Sequence, residues 1–442
     1  MSKYLSFVDI VFFVLLSTLF YFIAQRIKSI RKEKEPCYKY FVQGMFVKVF
    51  GGIAVCLVYI FYYEGGDTLT YYHDNKVMVR FFFEKPLMAL KFSLFENDAQ
   101  MWFQFNDATD WLHFYFDNHA IYVVKLTWIL SLFTFNSLIG QTMLLSFISF
   151  FAIWRLYKMF VIEFPTLQKQ FAYAILFIPS VVFWGSGLLK DTITLSAVAI
   201  FTTSFYNILQ LKKKYFLNIL LMILTSWVLI KIKPYILFAL LPGTLIWMAG
   251  FYLGKLNNKV IRAAITPFLM VLCVLLAYFF LENISSMLGK YSIDNVLEKA
   301  VETQRDLKQD YYHGTAFDIG EFEPTLRGVL SKAPIAIMSA LFRPYLWEAS
   351  NMAMYVSALE NFFILFFSVY LLIRLKIYYF FKLVFKNHLL FFCVSFSLFF
   401  AFSIGLSTSN FGSMVRYKIP AIPFFVASLI ITNYYYRNRK AK

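Results

Sequence analysis

Runs of about 20 apolar residues, the length at which a helix spans a bilayer core, recur along this chain. They lie near 9–25, 42–62, 119–135, 138–158, 171–189, 191–210, 215–232, 235–253, 262–281, 352–373, 388–406 and 418–436. A chain patterned this way has few folds open to it. Inside hydrocarbon every backbone N–H and C=O must find its partner within the protein, which leaves helices or closed barrels. Continuous apolar runs of this length are helical, because a half-buried strand would alternate. Composition agrees: 60% of the 442 residues are hydrophobic and 21% aromatic, whereas a soluble surface carries far more charge. The sequence therefore predicts an all-α, polytopic integral membrane protein of about 11–13 transmembrane helices, organised as a single transmembrane domain over 1–442. The first run is followed by "AQRIKSIRKEK" rather than a small-residue cleavage site, so it is read as a retained helix.

The net charge of +17 is distributed in a way that argues for topology rather than nucleic-acid binding. Residues 64–118 hold nine acidic and four basic side chains, and residues 282–325 again hold nine and four. The remaining bases cluster at helix ends, as in "RIKSIRKEK", "LKKKYF", "KLNNKVIR", "RLKIYYFFKLVFK" and "RNRKAK". This is the positive-inside pattern. It places a first loop (64–118) and a second (282–332) outside, and the C-terminus in the cytoplasm. With "LKKK" inside, an odd number of crossings is required between 118 and 211, where four apolar runs lie. One run should therefore be broken, and 171–189 is the best candidate, because Pro179, Gly185 and Gly187 interrupt its hydrogen-bond ladder. The stretch 332–351, with Pro334 and Pro344, reads as a half-length segment.

Cys56, Cys273 and Cys393 lie inside apolar runs and Cys37 in a basic loop, with neither zinc spacing nor a disulfide framework. Walker, Rossmann and zincin motifs are absent, so neither a nucleotide nor a redox cofactor is expected.

Against this background "FYYEGGDTLTYYHDN" (61–75) stands out. Gly65 and Gly66 end an apolar helix, and Asp67 is placed to cap the next one. In that helix Asp67, Thr70, Tyr71 and Asp74 fall at i, i+3, i+4 and i+7, on one polar-aromatic face expected at the outer membrane boundary. A carboxylate there can act as a general base toward a hydroxyl or help hold a divalent cation. Tyr71 and Tyr72 suit stacking on a sugar ring. A helix cap beside an interfacial aromatic belt accounts for the same residues. The rest of the loop reads as amphipathic juxtamembrane helices. Asp107, Asp110, His113 and Asp117 recur there at helical spacings, as a metal site or as a solvated acidic face.

Charges in or beside apolar runs are costly without a partner or a polar cavity. They are Lys190 and Asp191, Lys231 and Lys233, Arg343 and Glu348, Glu360, and Arg416 with Lys418. Cations of this kind beside acidic loops fit a lipid-linked phosphate.

The order of these elements resembles the GT-C superfamily of polytopic glycosyltransferases, which includes protein mannosyltransferases and the aminoarabinose transferases of lipid A. The resemblance rests on "YYEGGDTLTYYHDN", "LSLFTFNSLIG", "FIPSVVFWGSGLLKD", "IKIKPYILFALLP" and "RYKIPAIPFF". The chain is also similar to O-antigen polymerases of the Wzy type. Two features depart from the GT-C pattern: an extra helix precedes the acidic loop, and the motif is "GGDT" rather than Asp-X-Asp. The resemblance implies an inner-membrane enzyme of cell-surface polysaccharide assembly. It would move a sugar or glycan from a polyprenyl-(di)phosphate carrier to a saccharide, lipid or protein acceptor on the outer face. Asp67 would be the base. Arg416, Arg343 and Lys190 would bind phosphate, Tyr71, Tyr72 and Trp347 would stack on sugar, and Asp74, Glu348 and Tyr417 would complete the substrate site. A flippase of a lipid-linked glycan would use the same arginines and need no base.

Overall fold

The computed structural model describes residues 4–95, 99–253, 302, 317–320, 323 and 326–440. Among the described residues the chain is helical, without a β-strand. In order the helices are α1 (Phe7–Arg31), α2 (Phe41–Phe61), α3 (Asp67–Glu84), α4 (Pro86–Leu94), α5 (Ala99–Trp102), α6 (Ile121–Phe133) and α7 (Leu138–Glu163). Then come α8 (Gln168–Phe171), α9 (Pro179–Trp184), α10 (Lys190–Tyr206), α11 (Tyr215–Ile232), α12 (Pro234–Leu253), α13 (Leu326–Ser331) and α14 (Ala333–Phe342). The last are α15 (Met352–Leu375), α16 (Ile377–Lys386), α17 (His388–Ser407), α18 (Phe411–Tyr417) and α19 (Ile422–Lys440).

Among the described residues eight helices are long and apolar enough to cross a membrane, or nine if the bent pair Phe411–Tyr417 and Ile422–Arg439, at 67°, is one span. The chain is a multi-pass membrane protein. The count falls below the 11–13 expected from sequence for identifiable reasons. The run at 262–281 lies outside the described residues. The run at 119–135 yields only the 13-residue α6, ended by Phe135 and Asn136 in left-handed backbone. The run at 171–189 is interrupted, as its proline and glycines suggested: a π-turn over Ala172–Leu176 is followed by the six-residue α9. The segment 332–351 contributes the ten-residue α14.

The chain forms two compact units. Unit 1 comprises Met1–Phe177, Val181–Thr203 and Trp227–Lys233, and unit 2 comprises Ile178–Ser180, Ser204–Ser226 and Pro234–Lys442.

In unit 1, α1 and α2 pack against α7, and α3 against α6. One carboxylate organises two helix starts. Asp9 accepts the Ser6 N–H at 2.9 Å, which caps α1, and takes the Ser137 hydroxyl at 2.7 Å and the Ile139 N–H at 3.0 Å at the start of α7. Asp9→Ala should strand these buried donors and cost about 1–3 kcal/mol, seen as a lower midpoint of thermal unfolding in detergent. An unchanged midpoint would mean that water replaces the carboxylate. A second polar chain joins α3, α6 and α7. Asn75 donates to Thr127 (3.1 Å) and Gln141 (2.9 Å), and Gln141 donates to Ser131 (3.0 Å). Each polar group is satisfied, as a buried network requires.

In unit 2, α12 and α14 pack on α17, which also packs on α19. Asparagines cap three of its helices: Asn351 accepts from Met354 N–H, Asn387 from Leu390 N–H, and Asn410 from Ser413 N–H.

Candidate functional site

The start of α3 is set by Gly66, whose φ of +91° favours glycine and whose added Cβ would lie 2.9 Å from the Tyr59 ring. Asp67 follows as the first helical residue, half-buried. The rotation of α3 differs from the face expected on Asp67, Thr70, Tyr71 and Asp74. Tyr71 and Asp74 are fully buried, because α3 turns them, with Asn75 and Met78, into the core. Tyr71 lies against the Phe114 ring at 4.7 Å, so the ring expected to meet a sugar is occupied by packing. The outward side of the helix instead carries Thr70, His73, Lys76 and Arg80, partly or fully exposed.

Around Asp74 the loop 106–119 folds back onto α3. Asp74 accepts the backbone N–H groups of His113 and Phe114, both at 2.9 Å, one on each carboxylate oxygen. Its Oδ1 lies 3.1 Å from His73 Nδ1 and 3.3 Å from His113 Nδ1, and the two Nδ1 atoms are 2.9 Å apart. The other nitrogen of His73, Nε2, is 3.2 Å from Asp110 Oδ2, which is also 3.7 Å from the Arg80 guanidinium. Asp110 holds this position in left-handed backbone, φ +70°, a conformation aspartate tolerates better than most residues.

The electrostatics follow from these contacts. The hydrogen bond from His73 to Asp74 raises the His73 pKa above the usual imidazole value against the opposing effect of burial, and Asp110 adds to the rise. The Trp111 N–H, then His73 and Arg80, hold Asp110 below the usual carboxylate range. Burial lowers the Lys76 ammonium, with Arg80 adding to the shift. Burial pushes the Tyr72 phenol up to about 12. Tyr72 donates to the Asn136 carbonyl at 3.0 Å. Lys76 reaches back one turn, toward the N-terminus of α3, to place its ammonium 5.2 Å from the Tyr72 ring centroid.

Lys190, at the start of α10, lies in unit 1, 3.7 Å from Asp117. Its neighbour Asp191 pairs with Lys233, and both members of that pair are buried.

The remaining sequence-derived residues lie in unit 2. Arg343 is committed to structure: its Nε lies 3.0 and 3.1 Å from the two Glu348 oxygens, and its guanidinium sits 4.7 and 5.1 Å from the Phe317 and Phe411 ring centroids. Glu348 also accepts the Tyr345 N–H at 2.8 Å. The pair neutralises itself, which leaves Arg343 little charge for a phosphate. Trp347 is 80% exposed and stacks on Tyr345 at 5.0 Å, the accessible aromatic of the expected set. Arg416 and Tyr417 end α18, half-buried. Next to them, Lys418 turns inward and donates to Asn361 at 2.8 Å. Glu360 accepts from the Ser180 N–H at 2.8 Å and hydroxyl at 2.6 Å.

His73, Lys76 and Arg80 have a signal in the sequence, a spacing of three and four that marks one helix face. Sequence spacing groups His113 and Asp110 with Asp107 and Asp117. Their partners prove to be on α3, about 40 residues back in the chain. No family model matches this chain, and no curated protein or solved structure matches it either.

Proposed function

We propose that this chain is a membrane glycosyltransferase that moves a sugar or glycan from a polyprenyl-(di)phosphate carrier to an acceptor hydroxyl, using the exposed side of α3. The observation that carries the reading is the polar content of α3, which starts at half-buried Asp67 and carries Thr70, His73, Lys76 and Arg80 partly or fully exposed along its length. Asp67 takes the proton of the acceptor hydroxyl, whose oxygen attacks the anomeric carbon. The bond from that carbon to the phosphate oxygen breaks, and the phosphate leaves with the electron pair. Lys76 and Arg80, the cations on the outward side of α3, stabilise the departing charge. The apolar helices adjoining this site suit a lipid-linked donor.

The test is release of free carrier, followed by mass spectrometry, from a panel of polyprenyl-phosphate and polyprenyl-diphosphate sugars given to the protein in nanodiscs. Asp67→Asn should lower turnover by about 100-fold with donor affinity retained, and Lys76→Met should raise KM. Binding without release, unchanged in Asp67→Asn, would defeat the reading and favour transport of the glycan.

A further inference from the structure

We propose that His73, Asp74 and His113 form a binding site for one divalent transition cation of the zinc class. The inference does not depend on the transferase reading, since it rests on three atoms and their second neighbours.

Three atoms with lone pairs, His73 Nδ1, His113 Nδ1 and Asp74 Oδ1, converge at separations of 2.9, 3.1 and 3.3 Å. With Asp74 as a carboxylate, no arrangement of protons on the two rings satisfies all three contacts. With a proton on His73 Nδ1 alone, His113 and Asp74 face each other as two acceptors. With a proton on His113 Nδ1 alone, His73 and Asp74 do. With both protonated, two N–H groups meet across 2.9 Å. One cation above the triangle satisfies every member at once. The circle through the three atoms has a radius of about 1.8 Å, so a cation at the 2.0–2.2 Å typical of nitrogen and carboxylate ligands of zinc sits about 1 Å off their plane.

The surroundings fit the same assignment. His73 Nε2 is hydrogen-bonded to Asp110 at 3.2 Å, the carboxylate–histidine relation that directs the other ring nitrogen to a metal. Asp74 is held by two backbone N–H groups, so its Oδ1 is fixed before any ion arrives. The Asp74 side chain is fully buried whereas that of His113 is 62% exposed, which gives the site an inner wall and an open side. Two imidazoles and one carboxylate favour zinc, cobalt, manganese or ferrous iron over calcium or magnesium, which prefer oxygen donors. With three protein ligands, the open side leaves a position for water or for an oxygen of a bound ligand.

The experiment uses the full-length, tag-free protein in nanodiscs, stripped with EDTA and desalted. Co2+ is titrated in and followed by its visible absorption, and bound Zn2+ is counted by elemental mass spectrometry. Wild type should take up one equivalent of either ion. His113→Ala, at an exposed position where folding should persist, should lose it. Asp110→Asn should weaken it by about 10–100-fold. His119→Ala, whose ring is engaged by the Lys231 carbonyl at 2.8 Å, should bind as wild type does. A thermal melt of each variant shows that it is folded. Absence of uptake by wild type, or full uptake by folded His113→Ala, would overturn the proposal and leave the cluster as a proton-bridged network.

Discussion

Asp191→Ala is expected to destabilise unit 1 by about 3–5 kcal/mol. Asp191 is fully buried and Lys233 nearly so, and they pair directly. Both ions are held out of water, so removing one takes from a buried ammonium the carboxylate it pairs with, and the cost exceeds the worth of the pair itself. Asp191→Asn with Lys233→Met should recover most of the loss, because no charge is then buried. The readout is the unfolding midpoint in detergent for Asp191→Ala and for the double variant. Equal midpoints for wild type and Asp191→Ala would mean that Lys233 reaches water by another route.

Gly405→Ala is expected to cost about 3 kcal/mol and to lower the yield of folded protein. A Cβ built on Gly405 would lie 2.1 Å from the Ala336 carbonyl oxygen and 2.5 Å from its carbon. The obstacle is therefore backbone of α14 against α17, which no rotamer change can move. Small residues at helix contacts allow such close approach in membrane bundles, where lipid supplies no hydrophobic drive between helices. Ala336→Gly should not rescue Gly405→Ala, since it removes a side chain and leaves the carbonyl in place. Rescue would show that the two helices separate easily and that the contact contributes little.

Some of the candidate site was legible in the sequence and some was not. The helix boundary before Asp67 could be read from "GGD", since a glycine stop acts within one turn, although Gly66 takes the cap position expected of Asp67, and no side chain caps the helix. The rotation of α3 could not. Residues 67, 70, 71 and 74 do share a face, but sequence alone does not say whether that face meets water or core, and the loop 106–119, folded back onto α3, covers Tyr71 and Asp74. Arg343 and Glu348 were visible as charges flanking a proline. That they neutralise each other follows from the turn between them, which brings the carboxylate to the guanidinium.

The sequence by itself determined that the chain is helical and crosses a membrane several times. Apolar length and the need to satisfy backbone hydrogen bonds in hydrocarbon are local requirements, readable one segment at a time. It also marked where a run would break, because proline and glycine act on their own turn. Only the tertiary structure decided that Asp191 pairs with Lys233, about 40 residues on, and that His113 comes to His73 and Asp74. Such choices of partner depend on how helices rotate and dock, and these are set by summed packing across distant segments rather than by any residue's neighbours in the chain.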